Sequence, residues 1–255
     1  MKPFLYSLLL LFTFSLNAQA PAAVPIPKEP HHHLVLENDY VRVFRVSVPA
    51  HESTLLHQHD VPYLYVSLGP ADVINAVQDK PEVHLVMADG QLGYSSGHFA
   101  HIARNLSDAP FNNVTIELLR PQGEPRNLCE KVVDGPVLKC PTENKNWPAD
   151  SPLRRLSKLG MIPRRMFETD EIEVSSYSAS SAGTYNRQDS HSSRLLVAEV
   201  GPQVHVEVEQ EADHFLESGE SIWIETGKDW RIVVPKENKP TRFLVIRFKH
   251  GETAK

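Results

Sequence analysis

The chain has 255 residues, with 26 Lys or Arg against 32 Asp or Glu, for a formal charge of −6. That mild acidity excludes nucleic acid and an anionic membrane surface as electrostatic partners. Once an amino-terminal leader is set aside, about 235 residues remain, enough for one large domain or two of ordinary size.

The leader is "MKPFLYSLLLLFTFSLNAQA", residues 1–20, with Lys2 ahead of a short apolar run and small residues at its end. It reads as a secretory signal peptide, and its apolar run is too short to span a bilayer. No second such run follows, so the expectation is a secreted or periplasmic protein with no membrane insertion after cleavage. Residues 21–33 form a Pro-rich arm ending in His31, His32 and His33, a run able to bind metals adventitiously.

From residue 34 to 120 the pattern changes. Short blocks such as "VRVFRVSV", "YLYVSLGP", "EVHLVMADG" and "NNVTIELL" alternate or run apolar and are closed by turn formers, the signature of a β-sandwich or barrel. Residues 121–167 are rich in Pro, Asn and basic residues and read as a linker, in which Cys129 and Cys140 are expected to form a disulfide in an oxidising compartment. A second strand series fills residues 168–255. With a shift of 132, "HQHDVPYLYVSLGP" falls on "DSHSSRLLVAEVGP", and shifts of 130 and 129 bring His84 to His214 and Gly90 to Gly219. A register kept through strands and lost in turns marks a duplicated β-domain.

The chemistry concentrates in the first copy. His57 and His59 are two residues apart in a strand, so both imidazoles face one way. Neutral imidazole suits Fe, Mn, Zn, Ni or Cu, and His101 in "GHFAHIARN" is the best third donor, leaving coordination positions open. Tyr63 shares the inward parity, either as a hydrogen-bonding partner of a bound molecule or as core. His98 lies on a turn and is placed at the pocket mouth. His84 and His51 read as structural and solvated, respectively.

These residues resemble the cupins, whose motifs read G-x5-H-x-H-x3,4-E-x6-G and G-x5-P-x-G-x2-H-x3-N. Gly90, His57, His59, His101 and Asn105 fall on motif positions. His51, Ser96 and His98 replace expected glycines and proline, Gly97 is displaced by one, and Tyr63 stands where the family carries a glutamate ligand. The resemblance implies an all-β protein of two tandem cupin-like jelly-roll barrels joined by a Pro-rich linker. It also implies one divalent transition metal on His57, His59 and His101, with Tyr63, His98 and Asn105 around the pocket. A small-molecule ligand or substrate follows, and a homodimer is common in this fold. Three-histidine cupin sites are similar to those of thiol and diketone dioxygenases; a Lewis-acid isomerase or lyase, or a non-catalytic exported binding protein, are the alternatives. The second copy is expected to be degenerate, with Leu195 in place of Tyr63, Asp189 in place of His57 and Arg231 opposite His101.

Overall fold

The structure is a computed structural model that describes residues 22–138, 161–180, 182–187, 191–234 and 239–249. The leader, Cys140 and Asp189 therefore lie outside the described residues.

The first half contains β1 (Val24–Pro25), β2 (His32–Glu37), β3 (Val41–Val48), β4 (His57–His59), β5 (Tyr63–Ser67), β6 (Ala71–Val77), β7 (Val83–Met87), β8 (Leu92–Ser95), β9 (Phe99–Asn105) and β10 (Phe111–Leu118). They form two five-stranded sheets, ordered β1-β4-β9-β6-β7 and β2-β3-β10-β5-β8. The second half contains β11 (Arg126–Asn127), β12 (Met161–Glu168), β13 (Ile172–Ala179), β14 (Gly183–Arg187), β15 (Arg194–Ala198), β16 (Val204–Val208), β17 (His214–Leu216), β18 (Ser221–Ile224), β19 (Trp230–Val234) and β20 (Thr241–Phe248). Its sheets are ordered β11-β12-β13-β20-β15-β18 and β14-β19-β16-β17. Apart from the short edge strands β1 and β11, the two orders are the same, so each half is one two-sheet jelly roll built on the same plan.

Two boundaries differ from the sequence reading. The arm is not a free extension: β1 pairs in parallel with β4, Val24 against His57, and Ile26 is buried in the first core. Part of the linker is strand, because Arg126 and Asn127 of β11 pair with Glu168 and Phe167 of β12, and β12 begins at Met161. The low periodicity of residues 121–167 hid both, since a two-residue strand and one carrying Pro163, Arg164 and Arg165 leave little alternation to read.

Strand β3 shows why one sheet can have two buried faces. Val41 and Val43 point outward from the barrel, and Phe44, Val46 and Val48 point inward, all essentially inaccessible. The outward residues of β3, β5 and β10, including Leu64, Val66, Val114 and Ile116, pack against Val174, Leu195, Leu244 and Ile246 of the second half. The two jelly rolls thus stand back to back on a shared apolar layer. At about 25 cal/mol per Å² of apolar surface removed from water, such a layer is the main term joining them.

The inward faces differ. In β10 the inward residues include Asn113 and Thr115; at the matching places β20 carries Phe243 and Val245, which belong to the filled core of the second half with Leu196, Trp230 and Ile232. A polar inward stripe needs partners or water, whereas an apolar one closes on itself. The first barrel accordingly keeps a hollow, whereas the described inward residues of the second pack into an apolar cluster.

Candidate metal centre

The hollow of the first barrel is a cavity of about 90 Å³. Its floor is apolar, with Val46, Val48, Val73, Met87 and Phe111, and the three histidines line its other side. His57 pairs directly with His101 across β4 and β9, and His59 lies two residues on, so one strand pair delivers all three rings to one point. Their donor atoms lie within 4.8 Å of one another, and His57, His59 and His101 are 1 %, 2 % and 9 % exposed.

The hydrogen bonds assign the nitrogens. His57 Nδ1–H donates to the Leu55 carbonyl at 2.9 Å, and His101 Nδ1–H donates to Asn75 Oδ1 at 2.6 Å. Both rings therefore turn Nε2 lone pairs inward, the arrangement in which an outer partner fixes ring orientation and tautomer for a metal. His59 Nε2 and His101 Nε2 stand 3.1 Å apart. With the His101 proton on Nδ1, His59 Nε2–H can donate to the His101 Nε2 lone pair, and His59 Nδ1 is buried without a partner among the described residues; a cation shared by the two Nε2 atoms would take the place of that proton. Burial, with the charge of neighbouring His32, pushes His57 down to about 4. Burial holds His101 at about 3, with the His57 and His32 charges adding, and depresses His59 further. All three are neutral imidazoles at physiological pH, as a transition-metal ligand must be. The donor set fits a divalent ion.

Tyr63 stacks on His59, ring centres 4.0 Å apart and planes 20° apart, and is 7 % exposed. It serves as a buried wall, and burial raises its phenol well above the usual range. His98 and Asn105, placed by sequence around the pocket, do not line the cavity. His98 is exposed on a turn at positive φ, and its backbone N–H donates to the His59 carbonyl at 2.6 Å. Asn105 is buried, but its amide donates to the carbonyls of Val48, Pro49 and Ala109 and its oxygen accepts from Ser107, so it locks a turn instead. The parity of β9 explains the result: Asn105 shares the face of His101 but sits beyond the cavity, at the strand's end. His84 bonds Asp72 at 2.6 Å and His51 bonds Asp108 at 2.9 Å, both at the surface.

Three functional residues escaped the sequence reading. Asn75 orients His101. His32, read as one of an adventitious metal-binding run, is 8 % exposed, lines the cavity, and lies 4.8 Å from His57 ring to ring. Glu29, 1 % exposed, accepts His32 Nδ1–H at 2.6 Å, the His31 N–H at 2.9 Å and the Leu55 N–H at 3.1 Å. Burial acts to raise this carboxyl, but those bonds and the His32 charge outweigh it and hold it near 2. The three-histidine run concealed a strand start in which His32 turns inward while His33 and Leu34 are exposed, so no alternation in the sequence marked it.

The second copy is altered more sharply than its sequence match suggests. Tyr63 pairs with Glu117, and the corresponding pair is Arg194 with Arg247; His101 pairs with Val77, and the corresponding pair is Trp230 with Val208. Arg194, not Leu195, thus stands for Tyr63, and Trp230, not Arg231, stands for His101. The Gly-Pro turns that anchor the sequence match, at Gly69 and Gly201, sit one residue out of step with the strands. Leu195 faces the layer between the barrels, and Arg231 lies outside, paired with Glu207. On that outer face His205, Glu207 and Asp213 also bring donor atoms within 4.8 Å of one another, with Arg231 already on Glu207.

No protein-family model and no curated protein sequence matches the chain. Its fold is similar to that of AerE from Microcystis aeruginosa, at 12% identity and a TM-score of 0.55, over 86% of this chain and 98% of that one. It is also similar to a salicylate 1,2-dioxygenase from Pseudaminobacter salicylatoxidans, at 10% identity and a TM-score of 0.53, over 85% of this chain and 75% of the other. A mutant of that dioxygenase in complex with gentisate matches at 11% identity and a TM-score of 0.53, over 85% of this chain and 73% of that one. At these identities the likeness establishes the cupin fold.

Proposed function

We propose that the protein is an exported metal-dependent dioxygenase acting on a small organic molecule, with a single divalent ion held by Nε2 of His57, His59 and His101. The observation that carries this reading is the convergence of three buried neutral imidazoles on one point beside a cavity. When bound, the ion supplies a Lewis acid with open positions for a small molecule and dioxygen. The chain's own residues orient and enclose: Asn75 and the Leu55 carbonyl fix two rings, Tyr63 covers the third, and the apolar floor excludes water. The similarity to a salicylate 1,2-dioxygenase supports oxygen chemistry over isomerisation, although cupin folds host many activities. Export rests on residues 1–20, and a Cys129–Cys140 bridge on the oxidising compartment that export implies.

The test is metal content of natively exported protein in which only His31 and His33, which do not line the cavity, are replaced by Ala, leaving His32 in place. One equivalent of Fe, Mn, Zn, Ni or Cu is expected, and it should vanish in the His57→Ala/His101→Ala variant. Oxygen uptake with the iron-loaded protein and a panel of thiols, diketones and aromatic diols should follow. A chain that cannot be loaded overturns the metal centre; a loaded chain that consumes no oxygen with any of them overturns the dioxygenase.

A further inference from the structure

The seam between the barrels repeats itself bond for bond. The Leu68 N–H donates to the Asn112 carbonyl at 2.9 Å and the Gly90 N–H to the Ser67 carbonyl at 2.9 Å; the counterparts are Glu199 to Arg242 at 3.0 Å and Gly219 to Ala198 at 2.8 Å. Glu199 therefore stands where the first half has Leu68. Ser218, just before Gly219, stands where the first half has Asp89, just before Gly90. Each glycine turn reaches across the seam to an arginine of the other half: a Cβ at Gly90 would lie 3.5 Å from Arg242 Nη1, and one at Gly219 would lie 3.5 Å from Arg45 Nε. The two arginines are provided for differently. Arg242 pairs with Asp89 and, at 3.8 Å, with Glu199. On the Arg45 side those two carboxylate positions are Ser218 and Leu68. No carboxylate among the described residues pairs with Arg45, whose Nη2 donates to the Ser218 carbonyl at 3.4 Å.

Beside Arg45 lies a groove of about 610 Å³, and its lining among the described residues includes no Asp and no Glu. His33 stands directly opposite Arg45 across β2 and β3, and the Asn112 side adds an amide. Val35, Leu68 and Val200 supply an apolar wall, Val35 and Val200 being well exposed. A guanidinium is matched best by the two oxygens of one carboxylate, and here the chain withholds the carboxylates it provides for Arg242. We infer that the groove binds a small monocarboxylate from solution, its oxygens taking at Arg45 the place that Asp89 and Glu199 fill at Arg242, and its apolar body lying on Val35, Leu68 and Val200. The histidines of the first barrel take no part in this site, so it stands apart from the metal centre.

Isothermal titration of hexanoate into the full-length protein tests it, after treatment with a chelator so that no bound metal can capture the carboxylate. Hexanoate should bind one to one, and hexanamide, its uncharged isostere, at least about tenfold more weakly. Arg45→Gln should lose at least about tenfold in hexanoate affinity. Ser218→Asp, which puts at this turn the carboxylate present at Asp89, should do the same by pairing with Arg45 from within. Both changes are at the surface of the seam, and the thermal midpoint of each variant is read alongside to show that it folds. No hexanoate binding by the wild-type chain, or equal binding of hexanamide, overturns the inference. Hexanoate affinity unchanged in Arg45→Gln places the ligand elsewhere and overturns the site. Affinity unchanged in Ser218→Asp overturns the equivalence between the bound carboxylate and Asp89.

Discussion

Asn75→Ala isolates the contribution of the group behind His101. The amide oxygen accepts the His101 Nδ1–H at 2.6 Å, and the ring is 9 % exposed, so the substitution leaves a mostly buried N–H without that acceptor. An unsatisfied buried donor costs about 1–3 kcal/mol, with the low end expected here because the shortened side chain opens the site toward the cavity and water. Loss of such an outer partner lowers metal affinity by about 10–100-fold, or about 1.4–2.7 kcal/mol. Isothermal titration of Zn(II) into metal-free protein should therefore show a Kd raised by at least tenfold, with the midpoint of urea unfolding lowered in the same sample. Asn75→Asp, which keeps an acceptor at the same place, should retain or strengthen metal binding. A Kd for Asn75→Ala within twofold of wild type would mean that Asn75 does not hold the ring, and the assignment of the Nε2 lone pair of His101 to the metal would fall with it.

Three further outcomes follow from named contacts. Glu199 is buried beside Arg242, which also pairs with Asp89 of the other half; burial raises its carboxyl to about 7, with the Arg242 charge opposing and the Asp89 charge adding. Because the folded protein holds this proton more tightly than the unfolded chain, stability should fall as pH rises from about 4.5 to above 7, and Glu199→Gln should remove about 2–3 kcal/mol of that fall in urea unfolding at pH 5 and pH 8. Gly97 adopts φ of +72° and a Cβ there would meet the Val61 carbonyl oxygen at 2.2 Å, so Gly97→Ala should cost at least about 2 kcal/mol by thermal unfolding and, through the adjacent His98 N–H to His59 bond, weaken metal binding. Leu195→Ala in the layer between the barrels should cost about 2–5 kcal/mol, with both halves unfolding earlier when followed by hydrogen exchange.

The histidine triad was legible because strand geometry writes it with period two and because His101 falls where a return strand must pass. Tyr63 was legible in position, and only the fold could show its ring lying flat on His59. Glu29 and His32 were hidden because their inward turn depends on β1 pairing with β4, a parallel contact between segments more than thirty residues apart that local composition does not encode. Asn75 was hidden because an Asn within "ADVINAV" looks the same whether it faces solvent or a histidine; its role exists only through the β6–β9 pairing. The second copy was misregistered by one residue for a similar reason: the sequence match was pinned on Gly-Pro turns, whereas burial follows the strands. That single residue put Arg194 rather than Leu195 at the position of Tyr63 and Trp230 rather than Arg231 at the position of the third histidine.

The back-to-back layer places different demands on the two faces of each central sheet. The outward faces must stay complementary in both copies, because among the described residues they pack against each other along β3, β5, β10 and their counterparts. The inward faces are free to diverge, and they have done so, one toward a polar hollow and the other toward Phe243, Val245 and Trp230. A drug or antibody designed against the mouth of the first barrel would therefore find no twin in the second, despite the shared plan. Conversely, the first barrel cannot be harvested as a minimal catalyst by cutting the chain after residue 120, since the cut would leave Leu64, Val66, Val114 and Ile116 facing water as an adhesive surface.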